Sequence, residues 1–137
     1  MNILLVCRGN VARSQIAEAV FKRTAFGIHD VVSAGTKLSG PEQPIGELMP
    51  AISEVLEVMR EDGDEIAHYV RKSVTEEMAE KADKIILIVD DRDPIPEYLL
   101  NNTKTIRWDV LDPKGQSLEF TRTVRDQIKG LVAYFIK

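Results

Sequence analysis

In the segment CRGNVARS, five residues separate Cys7 from Arg13, and Ser14 follows directly. A cysteine thiolate is a strong nucleophile, and arginine presents a planar fork of donors that binds two oxygens of a phosphate-like anion at once, which lysine cannot copy. The residues between them, Arg8, Gly9, Asn10, Val11 and Ala12, form a short loop whose backbone N–H groups can turn inward around such an anion. The same positive field favours the thiolate over the thiol. Gly9 is expected to take a backbone conformation closed to other residues. Asn10 is expected to brace the loop through its amide, and Ser14 to hydrogen-bond the sulfur or cap the following helix. A lone cysteine ending an apolar strand is by default a packing residue. The combination of strand, Cys7, loop, Arg13, Ser14 and helix points instead to nucleophilic chemistry on an oxyanion.

Transfer of a phosphoryl group to sulfur needs an acid for the leaving oxygen, and the same group can later deprotonate the attacking water. Three places in the chain offer one: Asp90 or Asp91, Asp109, and Asp112 followed by Pro113. His29 and His68 have no partner at ligand spacing and are assigned no role. One thiol and no histidine cluster give no metal site of common spacing, and no cofactor is expected.

Ile3 to Val6 is an unbroken apolar run, as in a strand covered on both faces of a parallel sheet. Ile16, Ala17, Val20, Phe21 and Thr24 then recur at helical spacing, with a stop at Gly27. Val31 and Val32 start a short strand ending at Gly35. Met49, Ile52, Val55, Leu56 and Met59 mark one face of a helix closed near Gly63, with Pro50 in its first turn. Ser73 and Glu76 have capping-box spacing before a short helix. Residues 84–89 (KIILIV) form the clearest buried strand, Thr105 to Trp108 the last one, and Val124, Ile128, Leu131, Val132 and Phe135 a terminal helix that docks on the sheet. Strands alternating with helices predict a single three-layer α/β domain over 1–137, its parallel sheet of about four strands flanked by helices on both faces. In such sheets ligands sit beyond the carboxyl ends of the strands, where Cys7, Gly35, Asp90 and the 109–112 segment would gather.

The formal charge of −4 and pI near 5.2 give no reason to expect nucleic acid or an anionic membrane as partner. Anion binding must therefore be local. The apolar start is too short to span a bilayer and lacks a basic flank, so a cytoplasmic address is expected.

The stretch VCRGNVARSQIAEAVF, with SAGT at 33–36 and the late Asp-Pro, resembles the low-molecular-weight protein tyrosine phosphatases and the related thioredoxin-coupled arsenate reductases. The resemblance implies a four-stranded parallel sheet in the order 2-1-3-4, and it selects Asp112 as general acid, with Asp109 as the fallback. WDVLDP and VRDQI are most similar to the arsenate reductase branch. The departures are equally specific. Relatives usually carry a second cysteine just before the loop arginine, where this chain has Ala12, and the arsenate reductases' internal relay needs two more in mid-chain. Neither an intraloop disulfide nor a cysteine relay can form. No aromatic residue lies between Ala34 and His68, so the surface that would grip a phenyl ring is missing from its expected places, and Tyr98 and Trp108 read as packing residues. Arg8 and Lys114 predict a basic cleft rim. Three readings follow: a phosphatase acting on phosphomonoesters, protein phosphotyrosine among them, through a phosphocysteine; an arsenate reductase that uses one cysteine and an external thiol; and a non-catalytic oxyanion-binding module.

Overall fold

The computed structural model describes all 137 residues. Its elements are β1 (Asn2–Cys7), α1 (Arg13–Thr24), β2 (Asp30–Gly35), β3 (Gln43–Pro44), a 3-10 turn (Ile45–Leu48), α2 (Ser53–Glu61), β4 (Val70–Arg71), α3 (Glu76–Lys81), β5 (Lys84–Val89), α4 (Glu97–Leu100), β6 (Thr105–Asp109) and α5 (Leu118–Phe135). Four strands form one parallel sheet in the order β2-β1-β5-β6. This is the expected 2-1-3-4 order, with β5 and β6 as its third and fourth strands.

The unbroken apolar runs of β1 and β5 have a direct cause, because both strands are central and covered on each face. Ile3, Leu5, Ile86, Ile88 and Trp108 point into a core closed by α1, α2 and α5. Leu4, Val6, Ile85, Leu87 and Val89 point the other way, into a smaller core beneath Ala79 of α3 and Leu99 of α4. On the larger side Trp108 stacks on Phe21 with ring centres 6.5 Å apart, and Phe135 meets both rings edge-on. Tyr98 packs on the smaller core. Both aromatics are therefore packing residues, as expected.

Two local expectations are corrected. The second helix begins at Ser53, not Met49: Met49 is extended (φ −61°, ψ 144°), the conformation a following proline imposes, and its side chain is half exposed. The short helix before β5 is capped by Thr75, whose hydroxyl accepts from Met78 N–H at 3.2 Å, not by Ser73. Ser73 is spent elsewhere. It bridges Gly35, and its N–H donates to Glu42. The two-residue pair β3–β4 has no counterpart in the sequence reading, being too short for a periodic signal.

At the other end of the chain Ser117 caps α5, accepting from Phe120 N–H at 3.0 Å, and Val124, Ile128 and Val132 form its buried stripe. Ile128 has no exposed surface. Ile128→Ala is expected to lower unfolding free energy in urea by about 2–5 kcal/mol, the usual cost of truncating a buried isoleucine, with the transition slope unchanged.

Candidate active site

Cys7 is the last residue of β1 and Arg13 the first of α1, so sheet and helix together fix their separation. The loop between them is held by one buried side chain. Asn10 has no exposed surface; its Nδ2 donates to Ser14 Oγ (2.7 Å) and Ser33 Oγ (3.0 Å), and its Oδ1 accepts from Lys72 N–H (2.9 Å) and Gln15 Nε2 (3.2 Å). The expected bracing by Asn10 is thus present. The strained backbone expected at Gly9 falls instead on Asn10, the one non-glycine residue with positive φ (54°), a conformation asparagine tolerates better than most residues. A Cβ on Gly9 would meet only Val11 Cγ2, at 3.9 Å.

The Asn10 amide also orients the nucleophile candidate. Ser14 Oγ lies 2.9 Å from Cys7 Sγ. Because the Ser14 oxygen already accepts from Asn10, its own proton is free to point at the sulfur, an arrangement that stabilises thiolate. Ser14 does not cap α1, whose N-cap position is Ala12. No backbone N–H of residues 8–14 donates a hydrogen bond within the protein, so this run of donors stands open around the loop.

Arg13 is 1% exposed. Its Nη1 donates to Asp93 Oδ2 (2.7 Å) and Val110 O (3.0 Å), and its Nη2 lies 3.6 Å from Asp112 Oδ2. The Nε/Nη2 edge, the edge that grips two oxygens in parallel, makes no hydrogen bond within the protein, while the other side is anchored. Burial pulls the Arg13 pKa down, but the hydrogen bond to Asp93 and the charges of Cys7, Asp93 and Asp112 outweigh it and hold the value above the ordinary one.

Of the acid candidates, Asp112 lies on the cleft, its Oδ1 accepting from Lys114 N–H at 3.0 Å. Asp109 turns to Arg107 (2.7 Å) with its side chain 80% exposed, and Asp91 pairs with the same arginine at 3.1 Å. Both lie outside the cleft. Asp90 is bound by Arg92, whose side chain and backbone N–H both donate to it. The hydrogen bond from the Arg92 side chain, assisted by that N–H and opposed by burial, brings the Asp90 carboxyl down to about 2. Asp93, the anchor of Arg13, was not found from sequence; one more aspartate in DDRD carries no distinguishing signal.

The cleft has a volume of about 290 Å³. Cys7, Arg13 and the loop form its floor, Asp112, Pro113 and Lys114 one edge, Lys37, Ser39 and Arg71 another, and Leu48, Ala51, Ile52 and Val55 an apolar wall. No aromatic side chain lines it. Arg8 and Lys114 both do, as expected, while Lys37 and Arg71 were missed. His29 and His68 lie off the cleft.

A family model for low molecular weight phosphotyrosine protein phosphatases matches residues 2–137. The chain belongs to this family. Among its curated relatives, arsenate reductase 2 of Staphylococcus haemolyticus is 26% identical over 133 residues, 97% of this chain and 94% of that one. Similar solved structures include an arsenate reductase in its phosphate-binding state (29% identity, TM-score 0.81, 98% of this chain and 95% of the other). Another is the YwlE arginine phosphatase, a cysteine-to-serine mutant with a phosphorylated active-site serine (27%, TM-score 0.78, 98% and 93%). The family thus holds both phosphatases and arsenate reductases, all sharing this chain's fold. No helix of this chain is long and apolar enough to cross a membrane.

Two measurements probe the geometry. A Cβ on Gly35 would sit 2.6 Å from Arg8 O and 3.0 Å from Asn10 N. Gly35→Ala should therefore displace the loop, lowering both the melting temperature and the affinity for inorganic phosphate measured by calorimetry. The depressed Asp90 value means that its carboxylate adds stability above about pH 4, which is lost as pH falls toward 2. Urea midpoints between pH 5 and 2 should fall less steeply in Asp90→Asn than in the parent protein.

Proposed function

We propose that this protein is a cysteine phosphatase that hydrolyses phosphomonoesters through a phosphocysteine, using only its own side chains. The observation that carries this reading is the Asn10–Ser14–Cys7 relay on the floor of a cleft that also holds the Arg13 fork and the Asp112 carboxyl. The phosphoryl oxygens enter the loop and take the open N–H groups of residues 8–14 together with the Nε/Nη2 edge of Arg13. Cys7 Sγ, as thiolate, attacks phosphorus in line with the ester oxygen. The S–P bond forms as the P–O bond breaks, and Asp112, protonated, gives its proton to the departing alkoxide. Water then attacks phosphorus, Asp112 takes its proton, and inorganic phosphate leaves with the sulfur restored as thiolate. Ser14 stabilises that thiolate as leaving group. Anchoring Arg13 through Asp93 and Val110 keeps the fork aimed before substrate arrives, so little reorganisation is needed at the reacting centre.

The arsenate reductase reading has a specific observation in its favour, the reductases among the relatives. Cys7 is the only cysteine, so in that reading an external thiol must supply the second sulfur and the electrons.

Purified protein is expected to hydrolyse an aryl phosphate in the presence of chelator, with Cys7→Ser inactive. Asp112→Ala should lower kcat by about 10²–10⁴-fold, most for esters with poor leaving groups. Full activity in Cys7→Ser would overturn this mechanism, and thiol-dependent arsenite formation without ester hydrolysis would establish the reductase.

A further inference from the structure

Arg71 is 3% exposed, lines the cleft and has no carboxylate partner. Its Nε donates to Pro41 O (2.8 Å), one Nη to Ser39 Oγ (3.1 Å) and the other to Gln43 Oε1 (3.2 Å). All three acceptors are neutral, and they use three of the five N–H groups of a guanidinium. Every other arginine except Arg8 has a carboxylate partner, Arg13 in Asp93, Arg60 in Glu65, Arg122 and Arg125 in Glu61. A buried cation without a counter-charge is costly unless something else supplies one. Lys37, also on the lining, has no ion pair either, nor have Arg8 and Lys114. The chain as a whole carries −4, so this local excess of cations is set against the average. Glu54 is the one carboxylate on the lining besides Asp112.

We propose that the rim formed by Arg71 and Lys37, with Ser39 between them, is a second anion subsite. The substrate is then a small phosphomonoester whose alcohol portion carries a second anionic group, a carboxylate or a phosphate. The inference rests on the phosphatase reading and deepens it. The phosphoryl group sits in the loop, the hydrocarbon body lies on the Leu48–Ile52–Val55 wall, and the second anion reaches Arg71 and Lys37. The two N–H groups that Arg71 has left are the donors such an anion needs. A cleft of about 290 Å³ with two charged ends and no aromatic clamp suits a compact dianionic ester better than a peptide side chain.

The test compares 3-carboxyphenyl phosphate with its carboxamide, two probes of one shape that differ in the second charge. Calorimetry on Cys7→Ala, which has no nucleophile and so holds ester without cleaving it, should give a dissociation constant about tenfold or more lower for the carboxylate, the scale of a charge-assisted hydrogen bond. Adding Lys37→Gln, and separately Arg71→Gln, should cut that ratio to about threefold or less. Arg71 holds the 39–43 segment, and if its replacement fails to fold, the exposed Lys37 decides the matter. Equal binding of the two probes, or a ratio unchanged by Lys37→Gln, overturns the subsite. Tighter binding of an acidic phosphopeptide than of the small carboxylate overturns the small-molecule assignment. Turnover is read separately on the unmutated protein: the binding preference without hydrolysis of either probe leaves the subsite standing and sinks the phosphatase reading.

Discussion

One buried amide ties the site together. Asn10 receives a backbone N–H of Lys72, donates to Ser33 at the end of β2, and donates to Ser14 on α1, so three separate segments are fixed by a single side chain. Remove it and no other hydrogen bond sets the direction of the Ser14 hydroxyl toward Cys7. The left-handed backbone at Asn10 is a local cost that these bonds offset, as expected for strain held at a functional site. Gly35 serves the same end from the neighbouring strand. Only a residue without Cβ lets β2 run close enough beneath the loop for Thr36 and Lys37 N–H to reach the carbonyls of Cys7 and Arg8.

A second layer of constraint aims the charge. Arg13 is the largest fully buried side chain, and it stays charged because Asp93 meets it on one side. The carboxylate belongs to the loop after β5 and Val110 to the loop after β6, so the register of both strands determines where the fork points. The sheet is therefore part of the site's electrostatics as well as its support. Successive residues of β1 and β5 pack into opposite cores, so a slip of one residue would exchange the side chains fitted to each.

Much of this was legible in the chain. β5 is a six-residue strand, KIILIV, whose five apolar residues mark its extent, and the Cys7–Arg13 spacing marks the loop. Ser14 and Asn10 were read in their roles because a hydroxyl and an amide at those places have few alternatives. What the sequence hid depends on long-range contact. Asp93, Lys37 and Arg71 carry no local pattern, and only the folding of 36–43 and 70–71 against the loop brings two of them to the cleft. Gly9 misled because glycine marks permission for an unusual backbone and not its presence. Ser73 misled because a side-chain spacing does not reveal that the residue's backbone is already committed to a bridge with Gly35.

The rigidity of the loop has a consequence for turnover. Its shape is fixed when the chain folds, so an arriving oxyanion meets no ordering cost, and the receptor responds to the anion's tetrahedron without regard to what is attached to it. On the phosphatase reading, the free product fits as well as the ester it came from. Its release would then compete with chemistry for control of the cycle, and ambient phosphate would hold part of the protein occupied. Selectivity then cannot reside in the loop; it belongs to the rest of the lining, which carries Lys37, Arg71 and Lys114 and no aromatic side chain.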